Sequence, residues 1–82
     1  MKFRQIQYVV EVVRNGMNVT AAADKLFTSQ PGVSSQIKRL EEELNLLLFE
    51  RAGKHINGLT PEGQMLLPKF EAILAEVENV KR

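Results

Sequence analysis

The chain opens with an apolar stripe of helical period. Between Lys2 and Asn15 the apolar side chains recur at steps of three and four residues, the spacing that places them on one face of a helix. The stripe consists of Phe3, Ile6, Val9, Val10 and Val13. Asn15-Gly16 follows, and both residues tolerate the left-handed backbone conformation in which many helices end. The pattern therefore predicts a first helix that stops at this pair.

A second, shorter helix is predicted from Val19 to Phe27. Asn18 precedes it, and an asparagine side chain there can accept a hydrogen bond from a free backbone N–H. The run Ala21-Ala22-Ala23 has a strong helix propensity, and its small side chains permit another helix to approach closely. We expect Leu26 and Phe27 to close this helix as core residues.

The third predicted helix runs from Gln30 to Leu44. Ser29 can cap it, Pro31 fits its first turn, and Asn45 is a suitable left-handed stop. Its apolar face is formed by Val33, Ile37, Leu40 and Leu44. Only Phe27-Thr28-Ser29 separates it from the second helix, and two short helices joined by such a turn are typical of a helix-turn-helix.

The segment from Leu46 to Leu59 has the features of a small hairpin. It contains a short apolar run, two glycines and an Asn-Gly pair, with Lys54 and His55 at its centre. A two-stranded hairpin is marginal by itself and has to pack against the helices. We therefore expect a wing with a basic tip.

A long last helix begins at Thr60-Pro61-Glu62, where Thr60 can cap, proline fits the first helical position and the acid favours the positive end of the helix dipole. Residues 61–82 would span about 33 Å, and Pro68 is expected to bend the helix. An apolar stripe of heptad spacing runs along it and predicts packing against a second helix. The stripe consists of Leu66, Phe70, Ile73, Val77 and Val80.

These segments together predict a mainly α fold. We expect a winged helix-turn-helix of three helices and a two-stranded wing over residues 1–59, and a linker helix for dimerisation over residues 60–82.

Composition narrows the functional classes. The chain has 82 residues, no cysteine and a single histidine, so thiolate metal sites and disulfides are excluded and a metal centre is not expected. It has no phosphate-binding glycine loop, and a domain this small can hardly build a catalytic pocket, so neither an enzyme nor a cofactor is expected. No apolar run is long enough to cross a membrane, and the first residues lack the apolar core of a signal peptide. A cytoplasmic protein is the expectation.

Charge is distributed unevenly along the chain. Residues 1–40 hold six basic and two acidic groups (+4), whereas residues 41–82 hold five basic and eight acidic groups (−3), which sum to the net charge of +1. A basic half suits a polyanion bound at one end of the molecule. An ordinary mixed surface would also explain the numbers.

The motifs resemble a known family. Thr28-Ser29-Gln30-Pro31-Gly32 is similar to the start of the recognition helix of LysR-type transcriptional regulators, and the whole chain resembles their N-terminal domain. Further similarity lies in Thr20–Leu26, Leu40–Leu44, Leu48–Arg51 and Leu59–Gly63. The resemblance implies a homodimer that binds double-stranded DNA and regulates transcription.

Within that family the chain is most similar to the branch that activates sulfur assimilation and cysteine biosynthesis. The similarity lies in Tyr8–Val13, Thr28–Gly32 and Gly53-Lys54-His55. It departs from the family at Ser35, where arginine is common, at Asn45, where glycine is common, and in a wing one residue longer than usual. Family members continue into a sensor domain that binds a small-molecule inducer, so the chain is expected to be a fragment that stops inside the linker helix.

Several residues of the third helix are candidates for DNA contacts. Gln30 can pair with adenine in the major groove, and Pro31 can touch a thymine methyl group, although a solvated cap residue and a helix start are the alternatives. Ser29 and Gly32 can contact phosphate or only shape the helix start. Ser34 and Ser35 can bond bases or phosphates, and Lys38 and Arg39 suit phosphates.

The wing supplies three more candidates. Arg51 can reach a phosphate or form a salt bridge with Glu50 or another acid. Lys54 and His55 suit a narrow minor groove. The run Glu41-Glu42-Glu43 is expected to be a solvated helix face. A module that binds proteins instead of DNA is the rival function, because winged helices also serve protein partners.

Overall fold

The computed structural model describes all 82 residues as four helices and one hairpin. The helices are α1 (Phe3–Arg14), α2 (Val19–Lys25), α3 (Gln30–Leu44) and α4 (Pro61–Lys81), and the hairpin of β1 (Phe49–Ala52) and β2 (His55–Leu59) lies between α3 and α4. The two strands are antiparallel, with Phe49 opposite Leu59 and Ala52 opposite His55. This confirms the predicted mainly helical fold with a wing and a long last helix.

The helix starts follow the cap residues identified in the sequence. Each cap side chain accepts a hydrogen bond from the backbone N–H three residues ahead: Asn18 from Ala21 (2.9 Å), Ser29 from Gly32 (3.1 Å) and Thr60 from Gly63 (3.0 Å). Local side-chain chemistry therefore sets where α2, α3 and α4 begin.

The prediction for the end of α2 was wrong. The helix ends at Lys25, two residues earlier than expected, and Leu26 is its half-buried cap. Phe27, expected in the core, is 96% exposed and has a left-handed backbone with φ 55°. Hydrophobicity alone assigned Phe27 to the core, whereas the turn into α3 directs its side chain away from the core.

One apolar core holds the helices and the wing together. Its fully buried side chains come from α1, α2 and α3, from Leu48 and from the start of β1, and Phe70 of α4 joins them at 4% exposure. The largest are Val9, Val10, Val12, Val33, Ile37, Leu40, Leu48 and Phe49. Helix α4 packs against α1, and through Phe70 its first half belongs to the same core as the three other helices.

The start of α4 is tied to the segment before the wing. The Thr60 hydroxyl donates to the Leu47 carbonyl, and the Thr60 N–H donates to the Leu48 carbonyl (3.0 Å). Gly63 is buried directly over Leu48, and a Cβ atom there would overlap the Leu48 carbonyl oxygen. Glycine is needed at this position because two stretches of backbone touch.

Helix α4 continues through Pro68 to Lys81. None of the four helices combines the length with the apolar character that a membrane crossing requires.

Candidate nucleic-acid interface

A concave groove of about 1280 Å³ lies between α3, the start of α2 and the wing. Six of the residues predicted to bind DNA line it together, three from α3 and three from the wing: Gln30, Ser34, Lys38, Arg51, Lys54 and His55. These side chains are separated in sequence by up to 25 positions (55 minus 30) and meet only because the hairpin folds back beside α3. The fold therefore brings polar and basic side chains from two elements into one groove.

The first turn of α3 presents its polar groups to solvent. Gln30 is exposed, and its side-chain amide donates to the Ser34 hydroxyl at 3.2 Å. Ser29 accepts the cap bond from Gly32, and a Cβ atom at position 32 would lie 3.0 Å from the Ser29 hydroxyl oxygen. Gly32 thus leaves room for the cap, while the Ser29 hydroxyl hydrogen remains available to an outside acceptor.

The outer face of α3 carries the remaining candidates of this helix. Pro31, Ser35 and Arg39 recur every four residues and are exposed, outside the groove lining. Lys38 is exposed at the border between this face and the groove. The candidates of α3 therefore form a continuous surface that runs from the groove to the outer face.

Glu41 corrects the prediction of a solvated acidic run. Its side chain is only 3% exposed, and one carboxylate oxygen accepts hydrogen bonds from the backbone N–H groups of Leu48 (2.7 Å) and Phe49 (3.3 Å). A buried carboxylate requires such partners, and the segment before the wing provides them. Glu42 and Glu43 are exposed as predicted, and Glu43 pairs with the N-terminal amino group of Met1 at 2.6 Å.

Arg51 forms the salt bridge that the sequence left open as an alternative, but its partner is Glu41. One guanidinium nitrogen lies 3.0 Å from a Glu41 carboxylate oxygen, and the other donates to the Phe49 carbonyl at 3.3 Å. The Arg51 side chain is still 34% exposed towards the groove. A guanidinium has five donors, so this pairing orients the group and leaves donors for a further acceptor.

Lys54 and His55 lie at the tip of the wing, where both are exposed. Gly53 makes the turn possible with φ 61°, and the strand register shifts between Glu50 and Arg51. Such an irregularity increases the local twist of a hairpin. The wing tip therefore borders the groove, and its basic side chains are in contact with water.

The sequence did not identify the start of α2 as part of the groove. Asn18 and Thr20 are exposed there and line the groove together with the wing tip. The cap at Asn18 was a usable signal, because a helix start presents free N–H groups and a positive dipole end. Glu42 also lines the groove and is exposed.

The stripe predicted for dimerisation divides into two parts. Phe70 is buried in the core of its own chain, and Leu66 packs half-buried against that core. Ile73 is 38% and Val80 83% exposed, with Val77 half-buried between them. Within one chain, therefore, Phe70 leaves no apolar surface for a partner, the half-buried Leu66 and Val77 leave part of theirs, and the exposed Ile73 and Val80 leave the most.

Comparison with known sequences gives a family match over most of the chain. The family described as bacterial regulatory helix-turn-helix proteins, lysR family, matches residues 3–64. The transcriptional regulator CysB of Haemophilus influenzae is 44% identical over 81 residues, which are 99% of this chain and 25% of that protein. SsuR of Burkholderia cenocepacia is 46% identical over 82 residues, covering all of this chain and 27% of that regulator. The chain thus spans about a quarter of these relatives.

Solved structures resemble the fold closely. The DNA-binding domain of BenM in complex with its catB site 1 DNA superimposes with a TM-score of 0.88 at 39% identity, over 98% of this chain and 88% of that one. The CbnR DNA-binding domain bound to DNA gives a TM-score of 0.87 at 36% identity, over 99% and 91%. With a matched family pattern, these sequence identities and the same wing and helices, the chain belongs to the LysR family of bacterial helix-turn-helix regulators.

Proposed function

We propose that the chain binds double-stranded DNA as a transcription regulator, with α3 in the major groove and the wing beside it. The observation that carries the proposal is the single groove in which the polar face of α3 meets the basic wing. The BenM and CbnR domains of the same fold are DNA complexes, which supports the same use here. Phosphate contacts would supply affinity, and the start of α3 would supply sequence choice.

A titration with duplex DNA at several salt concentrations tests this function. Release of counterions from the phosphates predicts an affinity that falls steeply with added salt. Weak binding without a salt dependence would contradict the proposal and favour a protein partner for the winged helix.

Gln30 is proposed as the first base-reading residue, because it is exposed at the start of α3 and its amide can pair with adenine N6 and N7. Gln30→Ala should weaken binding to the preferred site by about 1–3 kcal/mol and leave random duplexes almost unchanged. Gln64→Ala, at an exposed position of α4, is the control. Equal losses on both duplexes would show that Gln30 does not read bases.

The other candidates are proposed to hold the DNA in place. Pro31 and the hydroxyls of α3 would contact bases or nearby phosphates, and the lysine and arginine side chains would contact phosphates, with Lys54 and His55 at the minor groove. The residues concerned are Ser29, Pro31, Gly32, Ser34, Ser35, Lys38, Arg39, Arg51, Lys54 and His55. Lys54→Ala should weaken specific and random duplexes alike.

Two copies are proposed to join through α4. Leu66, Ile73 and Val80 are spaced by seven residues and lie on one side of the helix, and the latter two remain exposed in the single chain. Burying this surface on both copies would stabilise the dimer by about 25 cal/mol per Å² of apolar area, less the free-energy cost of association. Sedimentation of the protein over a range of concentrations would detect the dimer.

Control of genes for sulfur and cysteine metabolism is proposed from the sequence resemblance and from the identity to regulators such as CysB and SsuR. In the whole protein, located in the cytoplasm, a sensor domain for a small-molecule inducer would follow α4. Removing the gene should change the transcripts for sulfate uptake and cysteine synthesis. Unchanged transcripts in sulfate-rich and sulfate-poor medium would contradict this assignment.

A further inference from the structure

Three helices of the chain end in the same backbone arrangement, in which the first or second residue after the helix adopts a left-handed conformation. After α1 this residue is Gly16 (φ 65°), and after α3 it is Asn45 (φ 55°). These residue types tolerate positive φ best. After α2 it is Phe27 (φ 55°), a bulky residue for which this conformation is unusual.

The end of α2 is a complete Schellman motif around Phe27. Its N–H donates to the Asp24 carbonyl (3.3 Å), and the N–H of Thr28 donates to the Ala23 carbonyl (3.0 Å). The ring is almost entirely in water, so packing inside the chain does not offset the unfavourable backbone. An exposed aromatic side chain on a strained backbone indicates a functional contact outside the chain.

The surroundings of Phe27 are basic. A shallow depression of about 580 Å³ beside it is lined by α1 and α2 residues that include Arg4 and Lys25, and no acid lines it. The two salt bridges of the chain join other groups, so both cations are free for an outside anion. We call Arg4, Lys25, Phe27 and Thr28 the turn patch.

The turn patch lies across α3 from the wing. Ser34 lines the wing groove, whereas Gln36, about 200° around the helix, accepts a hydrogen bond from the Gln5 side chain of α1 (3.3 Å). The first turn of α1, with Arg4, is therefore on the side of α3 that faces away from the wing. Thr28 also adjoins Ser29, the cap of α3, so the patch is continuous with the proposed DNA surface.

We propose that the turn patch binds the sugar-phosphate backbone on the side of the major groove opposite the wing. A helix in the major groove has a phosphate strand on each side, and the wing supplies cations for only one of them. Arg4 and Lys25 would bind phosphates of the other strand, and the Phe27 ring would pack on its deoxyribose, since the ring has no polar atom to offer a phosphate. This inference rests on the proposed DNA binding.

Phe27→Asn tests the role of the ring. Asparagine tolerates positive φ, so the variant should unfold at the same temperature as the parent chain or higher. Its affinity for a random-sequence duplex should fall about fivefold to tenfold, the factor for losing a contact of about 1.0–1.4 kcal/mol. Phe27→Tyr keeps the ring and should retain the affinity. A destabilised Phe27→Asn chain, or one with full affinity, would overturn the proposal.

The double variant Arg4→Gln and Lys25→Gln tests the two cations. Each lost phosphate contact lowers the slope of log affinity against log salt by about 0.9, so the slope should fall by about 1.8. Lys69→Gln with Lys81→Gln removes the same charge from exposed positions of α4 and should leave the slope near that of the parent. Ethylation of the phosphates should interfere on both sides of the groove with the parent chain and on the wing side alone with the patch variant.

The outcomes separate this inference from the function on which it rests. If the parent chain shows no salt-dependent binding to duplex DNA, the proposed function itself fails. If the parent binds steeply and the patch variant has the same slope and ethylation pattern, only the turn patch inference is wrong. Intact DNA binding with lost transcriptional regulation would assign the patch to a protein partner and would also overturn the inference.

Discussion

The two halves of α4 have the same apolar spacing but different surroundings. From Pro61 to Phe70 the helix is fixed to the rest of the chain by the Thr60 cap, by the backbone contact at Gly63 and by the buried Phe70 ring. From Glu71 to Lys81 no residue is buried, and Leu74 packs half-buried against the core. A heptad stripe thus predicts which apolar surface of the helix becomes buried. The fold determines which part of that surface is buried within the single chain.

The largest expected effect is that of Phe70→Ala. Removing a buried phenylalanine should lower the free energy of unfolding by about 3–5 kcal/mol, because it leaves a cavity in the core. Urea unfolding monitored by circular dichroism measures this. The loss should be the same at high and low protein concentration, since the ring is buried within one chain. A loss confined to high concentration would place Phe70 in the dimer contact instead.

Gly63→Ala should have the next largest effect. The added methyl group would overlap the Leu48 carbonyl and force α4 away from the segment before the wing, at a cost of about 1–3 kcal/mol of unfolding free energy. Gly58→Ala is the matched control, because nothing lies within 4 Å of a Cβ atom there, and it should stay within about 0.5 kcal/mol of the parent. Equal stability of the two variants would show that the α4 contact is not tight.

Ile73→Asp changes the half of α4 that has no buried residue. Its charge would enter the proposed dimer contact, so the dissociation constant of the dimer should rise at least about tenfold, or about 1.4 kcal/mol. Ala75→Asp, about 200° around the helix, should leave the dimer intact. Sedimentation equilibrium measures both. A parent chain that stays monomeric at high concentration would contradict the proposal, as would an unaffected Ile73→Asp dimer.

The smallest effect is expected from Val80→Asp. Val80 is 83% exposed in the single chain against 38% for Ile73, so an aspartate at position 80 can turn towards water more easily than one at position 73. We expect a rise in the dissociation constant of about twofold to fivefold, or about 0.4–1.0 kcal/mol. Asn79→Asp adds the same charge next to the stripe, and it should raise the dissociation constant less than Val80→Asp does. If Val80→Asp raised the dissociation constant more than Ile73→Asp, the contact between the two copies would lie nearer the end of α4 than proposed.

Local signals in the sequence were sufficient for most of the fold. Ser29 and Asn45 delimit α3 because a cap and a left-handed stop act on their own neighbours. Phe27 was misplaced because hydrophobic pattern reports a preference for burial and not the direction that a turn imposes. The division of the α4 stripe at Phe70 was also hidden, because contact with α1 and contact with a second copy require the same apolar spacing.

Most residues of the candidate site could be predicted from the sequence, whereas the hydrogen bonds and the ion pair that hold them could not. Gln30, Lys38 and Lys54 were identified from the helix start, the charges and the hairpin, and the structure brings them to one groove. The burial of Glu41 was not predictable, because its partners are backbone N–H groups seven and eight residues ahead. Those groups reach the carboxylate only when the chain after Asn45 turns back beside α3.

The backbone contact between Gly63 and Leu48 has a geometric consequence for a dimer joined at the far end of α4. Because this contact fixes α4 against the segment before the wing, α4 and the part of the chain that carries α3 and the wing would move together as one rigid body. The 21 residues of α4 measure about 31 Å, so a tilt of about 10° where the two copies cross would displace the opposite end of the helix, next to the wing, by about 5 Å. That is roughly one and a half base-pair steps of about 3.4 Å. Small changes in how two copies cross would thereby alter the spacing of the DNA half-sites that they can occupy together.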